Sequence, residues 1–113
     1  MKKVIRPSKL RTQVLGYPRI GAHRELKKAC ESFWKGQLSE NELQETGHQI
    51  RRTNWLTQKE KGIDLIPSND FSFYDQILDM CLMMDAIPER YKDLKESKMA
   101  LYFAMARGLQ KDG

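Results

Sequence analysis

The chain has 113 residues, 20 Lys and Arg against 15 Asp and Glu, and a formal net charge of +5. Hydrophobic residues make up 40% and charged residues 31%, a globular balance at a length that suits one small domain and excludes a disordered polymer. No apolar run reaches the roughly 18 residues of a membrane-crossing helix. Lys2 and Lys3 lead only to Val4 and Ile5 before Arg6, so no secretory segment is expected, and the expected compartment is the cytoplasm.

The charge is uneven. Residues 1–28 hold nine Lys or Arg and a single acidic residue, Glu25, whereas the remainder holds 11 basic and 14 acidic residues. Residues 1–12 read as a basic, flexible N-terminal tail, with the folded domain over 13–113. A basic cluster can attract RNA or another polyanion, but no aromatic residue stands among these cations before Tyr17, which makes nucleic acid a weak candidate.

In chain order, Gln13–Tyr17 predicts a short strand, and Gly16, Pro18 and Gly21 predict a loop over 18–23. Leu26, Ala29, Cys30, Phe33 and Trp34 then fall on one face of a helix that Gly36 should end. Ser39 with Glu42 forms a capping box, opening a second helix to about Lys61. Gly47 inside it costs about 1 kcal/mol relative to alanine, and Gly62 stops it. Ile63–Pro67 predicts a second strand, apolar enough to be buried on both faces. Ser68-Asn69-Asp70 is a turn with Asp70 as a candidate helix cap. Tyr74, Ile77, Leu78, Cys81 and Leu82 repeat the helical stripe, which Pro88 interrupts. Ser97 is a candidate cap for a last helix through Ala106, with Tyr102, Met105 and Leu109 on one side and Gly108 as its end. Cys30 and Cys81 sit in apolar stripes and read as reduced core thiols.

Strands alternating with helices predict an α/β fold of βα units with a parallel strand pair, since the long connection requires a crossover. Two strands alone leave open edges, through which the chain could self-associate or bind another chain. Ligands of such units bind at the strands' C-terminal ends. There, Arg19, His23, Arg24, Lys27 and Lys28 surround the start of the first helix, where free amides and the helix dipole already favour anions. Arg24 and Lys27, three residues apart, share a face suited to carboxylates or phosphates. The plain alternative is an exposed basic helix start with an Arg24–Glu31 or Glu25–Lys28 ion pair. Asp75 and Asp79 read as solvated charges, and His48 as a surface or partly packed side chain. No local motif builds a zinc site, a dinucleotide fingerprint, a P-loop or a nucleophile elbow, so neither a catalytic nor a metal-binding residue is assigned.

Leu15-Gly16-Tyr17-Pro18-Arg19-Ile20-Gly21, Arg24-Glu25-Leu26-Lys27-Lys28-Ala29 and Glu31-Ser32-Phe33-Trp34-Lys35-Gly36 closely resemble the start of cobalamin-independent methionine synthases. Gly62-Ile63-Asp64-Leu65-Ile66-Pro67, Asn69-Asp70-Phe71, Phe73-Tyr74-Asp75 and Tyr102-Phe103-Ala104-Met105-Ala106-Arg107-Gly108 continue the resemblance in register. It implies the opening βα units of a TIM-type (βα)8 barrel, truncated. It also implies an enzyme family that moves a methyl group from 5-methyltetrahydrofolate polyglutamate to homocysteine, making methionine. In that family a second barrel carries zinc and homocysteine, and nothing in this chain corresponds to it. The implied binding residues here are Arg24, Glu25, Leu26 and Lys27, which match the family's folate-polyglutamate segment. The chain is therefore expected to be inactive alone and to contribute contacts to an anionic folate tail.

Overall fold

The computed structural model describes residues 10–94 and 97–108. Helix α1 spans Glu25–Trp34, α2 Glu40–Glu60, α3 Gln76–Met83 and α4 Lys98–Arg107, with a 3-10 turn at Glu89–Tyr91.

The helix boundaries follow from local chemistry. The expected capping box forms: Ser39 Oγ accepts from Glu42 N–H at 3.2 Å, while Glu42 Oε2 accepts from Ser39 N–H at 2.8 Å. Gly36 takes a left-handed φ of 72° after α1, and Gly62 takes 81° after α2. Ser97 caps α4 through a 3.2 Å bond from Ala100 N–H. The cap of α3 is Asp75, whose Oδ1 accepts from Leu78 N–H at 3.0 Å. Asp70 is therefore not the cap; its Oδ2 instead accepts the Tyr17 amide at 2.8 Å, tying the two loops together.

The core gathers one face from each of α1, α2 and α4. Leu26 and Leu43 are fully buried, with Cys30, Ile50, Met99, Tyr102 and Phe103 beside them. Burying a leucine of this kind is worth about 1.5–3 kcal/mol. Phe103 is the hub of an aromatic cluster, with ring centroids 5.2 Å from Tyr102, 5.4 Å from Trp34 and 5.6 Å from Phe33. The stripe expected in α4 is shifted accordingly: Tyr102 is buried with Met99, Phe103 and Ala104, Met105 is half-buried, and Leu109 lies outside the described residues. In α3, Leu78, Cys81 and Leu82 turn inward, while Ile77 is 77% exposed and Tyr74 precedes the helix.

The strands are the main correction to the α/β expectation. Among the described residues neither Gln13–Tyr17 nor Ile63–Pro67 forms a strand. What remains is a single parallel bridge, Gln13 to Leu65. The direction is the one expected, but no ladder follows. Thr12 C=O accepts from Asp64 N–H at 3.1 Å and from Leu65 N–H at 2.9 Å, and Thr12 N–H donates to Asp64 Oδ2 at 2.9 Å. Thr12, within the segment read as a tail, is thus held against residues 62–65. Beside the bridge cover is incomplete: Leu15 is 99% exposed and Leu65 45%, while Ile63 and Ile66 are half-buried. A ladder needs neighbouring strands to pair its remaining N–H and C=O groups, and the described residues supply none. Of the tail cations, Lys2, Lys3, Arg6 and Lys9 lie outside the described residues, and Arg11 is exposed.

Candidate functional site

The loop from Pro18 to His23 is shaped by contacts that the sequence did not announce. Arg19 is folded inward. Its Nη1 donates to the Ser72 and Phe73 carbonyls at 3.2 and 3.0 Å, and its Nη2 to the Tyr74 carbonyl at 2.9 Å. A planar fork suits this triple grip in a way that an ammonium would not. Arg19 is a clamp between the loop and residues 72–74, with three of its five N–H donors committed to backbone carbonyls.

Gly21 follows at φ 86°, where a Cβ would also collide with Glu25 Oε2. That carboxylate accepts the His23 N–H at 3.0 Å. Hydrogen bonds from its own amide and from His23, helped by the charges of His23 and Lys28, hold Glu25 below the usual carboxylate range. The Leu26 amide donates to the Ile20 carbonyl at 3.1 Å. The amides at the start of α1 are therefore largely satisfied by the protein itself. Anion attraction at this junction falls to side chains rather than to free backbone N–H groups.

The four residues Arg24 to Lys27 divide into two pairs. Leu26 is fully buried in the core, and Glu25 braces its own turn. Arg24 and Lys27 are exposed, as are His23 and Lys28. Lys27 lies 3.7 Å from Glu31, so the ion pair on this helix is Lys27–Glu31 rather than Arg24–Glu31 or Glu25–Lys28. With both side chains about half exposed, such a pair is worth about 0–1 kcal/mol and yields easily to a better anion. Arg24 stands at the helix N-cap with a left-handed φ of 61° and no side-chain cap bond. A non-glycine residue there carries strain on the order of 1–2 kcal/mol, and strained backbone of this kind clusters at functional sites.

Two further residues escaped the sequence reading. Tyr102, seen there as a packing residue, has a hydroxyl that accepts from the Tyr74 and Asp75 amides, both at 2.9 Å, and sits 3.1 Å from Ser72 Oγ. Burial, with Asp79 nearby, pushes its pKa upward. Gly47, read as a cost, is a contact: a Cβ there would stand 2.6 Å from Phe73 Cζ. A single sequence carries no signal for either, because both depend on where the 71–75 loop lands.

Among the described residues no group of three His, Cys, Asp or Glu is placed to hold a metal ion. Cys30 and Cys81 are free thiols. Cys30 is buried, which pushes its pKa up to about 11, partly offset by the Arg19 charge. A thiol so resistant to ionisation is a poor zinc ligand, and His23 and His48 are exposed. The described residues therefore do not fit a zinc site. None of their helices is long and apolar enough to cross a membrane.

Comparison with known proteins places this geometry. The family described as cobalamin-independent synthase, N-terminal domain, matches residues 11–112. Among similar relatives, the 5-methyltetrahydropteroyltriglutamate–homocysteine methyltransferase of Cytophaga hutchinsonii is 59% identical over 103 residues, which is 88% of this chain and 13% of that protein. The proteins of the same name from Flavobacterium johnsoniae and Saccharomyces cerevisiae are 58% and 52% identical, over 92% and 90% of this chain and 14% and 13% of their own lengths. The chain thus spans about one-seventh of the relatives it matches. The family match covers residues 11–112, nearly the whole chain, and the chain belongs to the N-terminal domain family of cobalamin-independent methionine synthases.

Proposed function

We propose that the chain acts as the N-terminal part of a methyltransferase that moves a methyl group from 5-methyltetrahydrofolate polyglutamate to homocysteine. Its own contribution is the start of α1, where Arg24 and Lys27 engage the γ-linked carboxylates of the folate tail. The observation that carries this is the division within residues 24–27: Glu25 and Leu26 fold the turn, leaving a guanidinium and an ammonium exposed three residues apart. Guanidinium grips a carboxylate as a fork and ammonium holds it as a point charge. The names of the relatives supply the substrate class. Among the described residues no group of side chains is placed to hold zinc. Two free thiols accord with a reducing, cytoplasmic setting.

The test is titration of the chain with 5-methyltetrahydropteroyl triglutamate and with the monoglutamate. The triglutamate should bind more tightly, and Arg24→Ala with Lys27→Ala should remove the difference. Equal affinity for both ligands, unchanged by the substitutions, rejects the reading. With homocysteine, zinc and the triglutamate supplied, the chain alone should form no methionine; steady product formation overturns that part.

The bridge supports a second element of the reading. Its parallel direction, with α1 and α2 between its two segments, is that of a first βα crossover, and we assign it to the opening of a (βα)8 barrel. The exposed Leu15 and Leu65 beside it favour self-association of the isolated chain. Sedimentation that stays monomeric across a hundredfold concentration range removes self-association.

A further inference from the structure

Helix α3 carries a group of soft donor atoms that neither the core nor the tail reading uses. Of the six methionines in the chain, Met80, Met83 and Met84 fall within five residues. All three are exposed, at 41%, 73% and 70%. Methionine is among the residue types most often fully buried, and Met99 in α4 is buried in the core. Packing among the described residues therefore does not account for the three on α3.

Their spacing brings them together. Met83 and Met84 follow Met80 by three and four residues, separations that set side chains next to each other on one helix face with Cβ atoms about 5–6 Å apart. The Met84 N–H donates to the Met80 carbonyl at 3.0 Å, so the helical turn holds through Met84. Met80 and Met83 also line one hollow of about 220 Å³, together with Asn69, Gln76 and Asp79. The Gln76 amide is committed to the Asp70 carbonyl at 2.8 Å, while Asp79 brings a carboxylate to the same hollow. Methionine is unbranched with three rotatable bonds, so thioethers at these positions can turn to a common point. Soft thioether ligands select Cu(I), whereas carboxylates and carbonyls suit magnesium and calcium. Zinc takes thiolate, imidazole and carboxylate, and no three of these gather among the described residues. Cys81, a half-buried free thiol in the same turn, is the rival donor.

We propose that the outer face of α3 binds a soft monovalent cation, Cu(I), through the thioethers of Met80, Met83 and Met84, with the Asp79 carboxylate beside them balancing its charge. Three uncharged sulfurs release no proton on binding, and they leave the core side of the helix, with Leu78 and Leu82, undisturbed. The site stands apart from the start of α1 and does not depend on the folate-tail reading.

Anaerobic titration of the full chain with Cu(I), kept reduced by ascorbate and buffered by a chromophoric chelator, reads the affinity. Ag(I), a soft monovalent probe that needs no reductant, reads the ligands through the methionine methyl resonances. The first equivalent of Ag(I) should shift the methyl signals of Met80, Met83 and Met84 and leave those of Met99 and Met105 in place. Cys81→Ser should keep a measurable affinity for Cu(I). In that background, Met80→Leu with Met83→Leu, a swap of similar volume at exposed positions, should weaken Cu(I) by at least about tenfold. Zn(II) at the same concentration should displace no Cu(I). Far-ultraviolet circular dichroism checks that each variant is folded. Binding abolished by Cys81→Ser overturns the proposal, because the metal then rests on the thiol. Binding that persists undiminished through the leucine substitutions overturns it too, as do Met80, Met83 and Met84 methyl signals that Ag(I) leaves unmoved, displacement of Cu(I) by Zn(II), or a chain that takes no Cu(I) from the chelator.

Discussion

Two apolar regions of similar composition meet opposite fates in this chain. Around α1, α2 and α4, Leu26 and Leu43 are fully buried. Along the bridge, Leu15 is 99% exposed and Leu65 45%. Residue type does not separate the two, since both are leucine-bearing segments flanked by turn residues. What separates them is where the partner lies. A helix satisfies its backbone within itself and needs only another helix face to cover its stripe. A strand needs a second and a third strand before its backbone and both faces are satisfied. The described residues provide the first kind of partner and not the second.

The largest test of this contrast compares Leu26→Ala with Leu15→Lys. The first leaves a cavity in the core and should cost about 2–5 kcal/mol, enough to unfold much of a domain this small. The second places a charge where the chain already meets solvent, and should change stability by less than about 0.5 kcal/mol. Urea unfolding followed by circular dichroism reads both. If Leu15→Lys is as damaging as Leu26→Ala, the bridge region is packed in solution and the contrast fails.

The same difference governs what was legible in the sequence. The capping box at Ser39 and Glu42, the glycines after α1 and α2, and the stripe from Leu26 to Trp34 are local signals, and each appears where expected. The resemblance over residues 13–108 identified the family, which the match over 11–112 bears out. The strands were legible as pattern but not as outcome, because pairing is decided by residues distant in the chain. Within the candidate site, Arg24 and Lys27 were read as sharing a helix face; both are exposed, but Arg24 stands at the N-cap, ahead of the first turn, with a left-handed φ. The inward turn of Arg19 had no local signal, because its three acceptors lie more than fifty residues away. Asp70 was read as the candidate cap and Asp75 as a solvated charge; Asp70 instead joins two loops through a contact fifty-three residues away, and Asp75 caps α3 through a local bond that the reading passed over.

Titration of the core sharpens the contrast further. Burial raises the Cys30 thiol from 9.0 to about 11. Between those values the unfolded chain loses the proton and the folded chain keeps it. The stabilisation is therefore complete below about pH 9 and is lost as the pH climbs towards 11, by an amount on the order of 2 kcal/mol. Cys30→Ala should flatten the decline in stability from pH 9 to 10; above that, Tyr102, whose pKa is also raised, adds its own loss. Iodoacetamide at pH 8 should label the half-buried Cys81 well before the buried Cys30. Equal labelling rates would show that the core opens as readily as the surface.

Gly47→Ala sets helix propensity against packing. Alanine is favoured over glycine within a helix by about 1 kcal/mol. Here its Cβ would stand 2.6 Å from Phe73 Cζ and 2.9 Å from Cε1, so the ring must move, and overpacking of this kind costs about 1–3 kcal/mol. Net destabilisation of about 1 kcal/mol is expected in thermal unfolding. A rise in melting temperature would mean that Phe73 shifts freely, and that the 71–75 loop belongs with the loosely held region rather than the core.

The smallest effect separates folding from binding at one residue. Arg24 holds a left-handed φ of 61° at the head of α1, a conformation glycine adopts without a steric penalty. Arg24→Gly should therefore leave the fold intact or raise its stability by about 0.5–1 kcal/mol, the relief of strain being partly offset by the greater freedom of the unfolded chain. The same change deletes the guanidinium proposed to grip the folate tail, so triglutamate affinity should fall while the melting temperature holds or rises. Arg24→Lys keeps the charge and the strain but loses the fork, and should recover part of the affinity with no gain in stability. If glycine instead destabilises the chain, the strain reading is wrong, and Arg24 serves the turn as Glu25 does rather than a ligand.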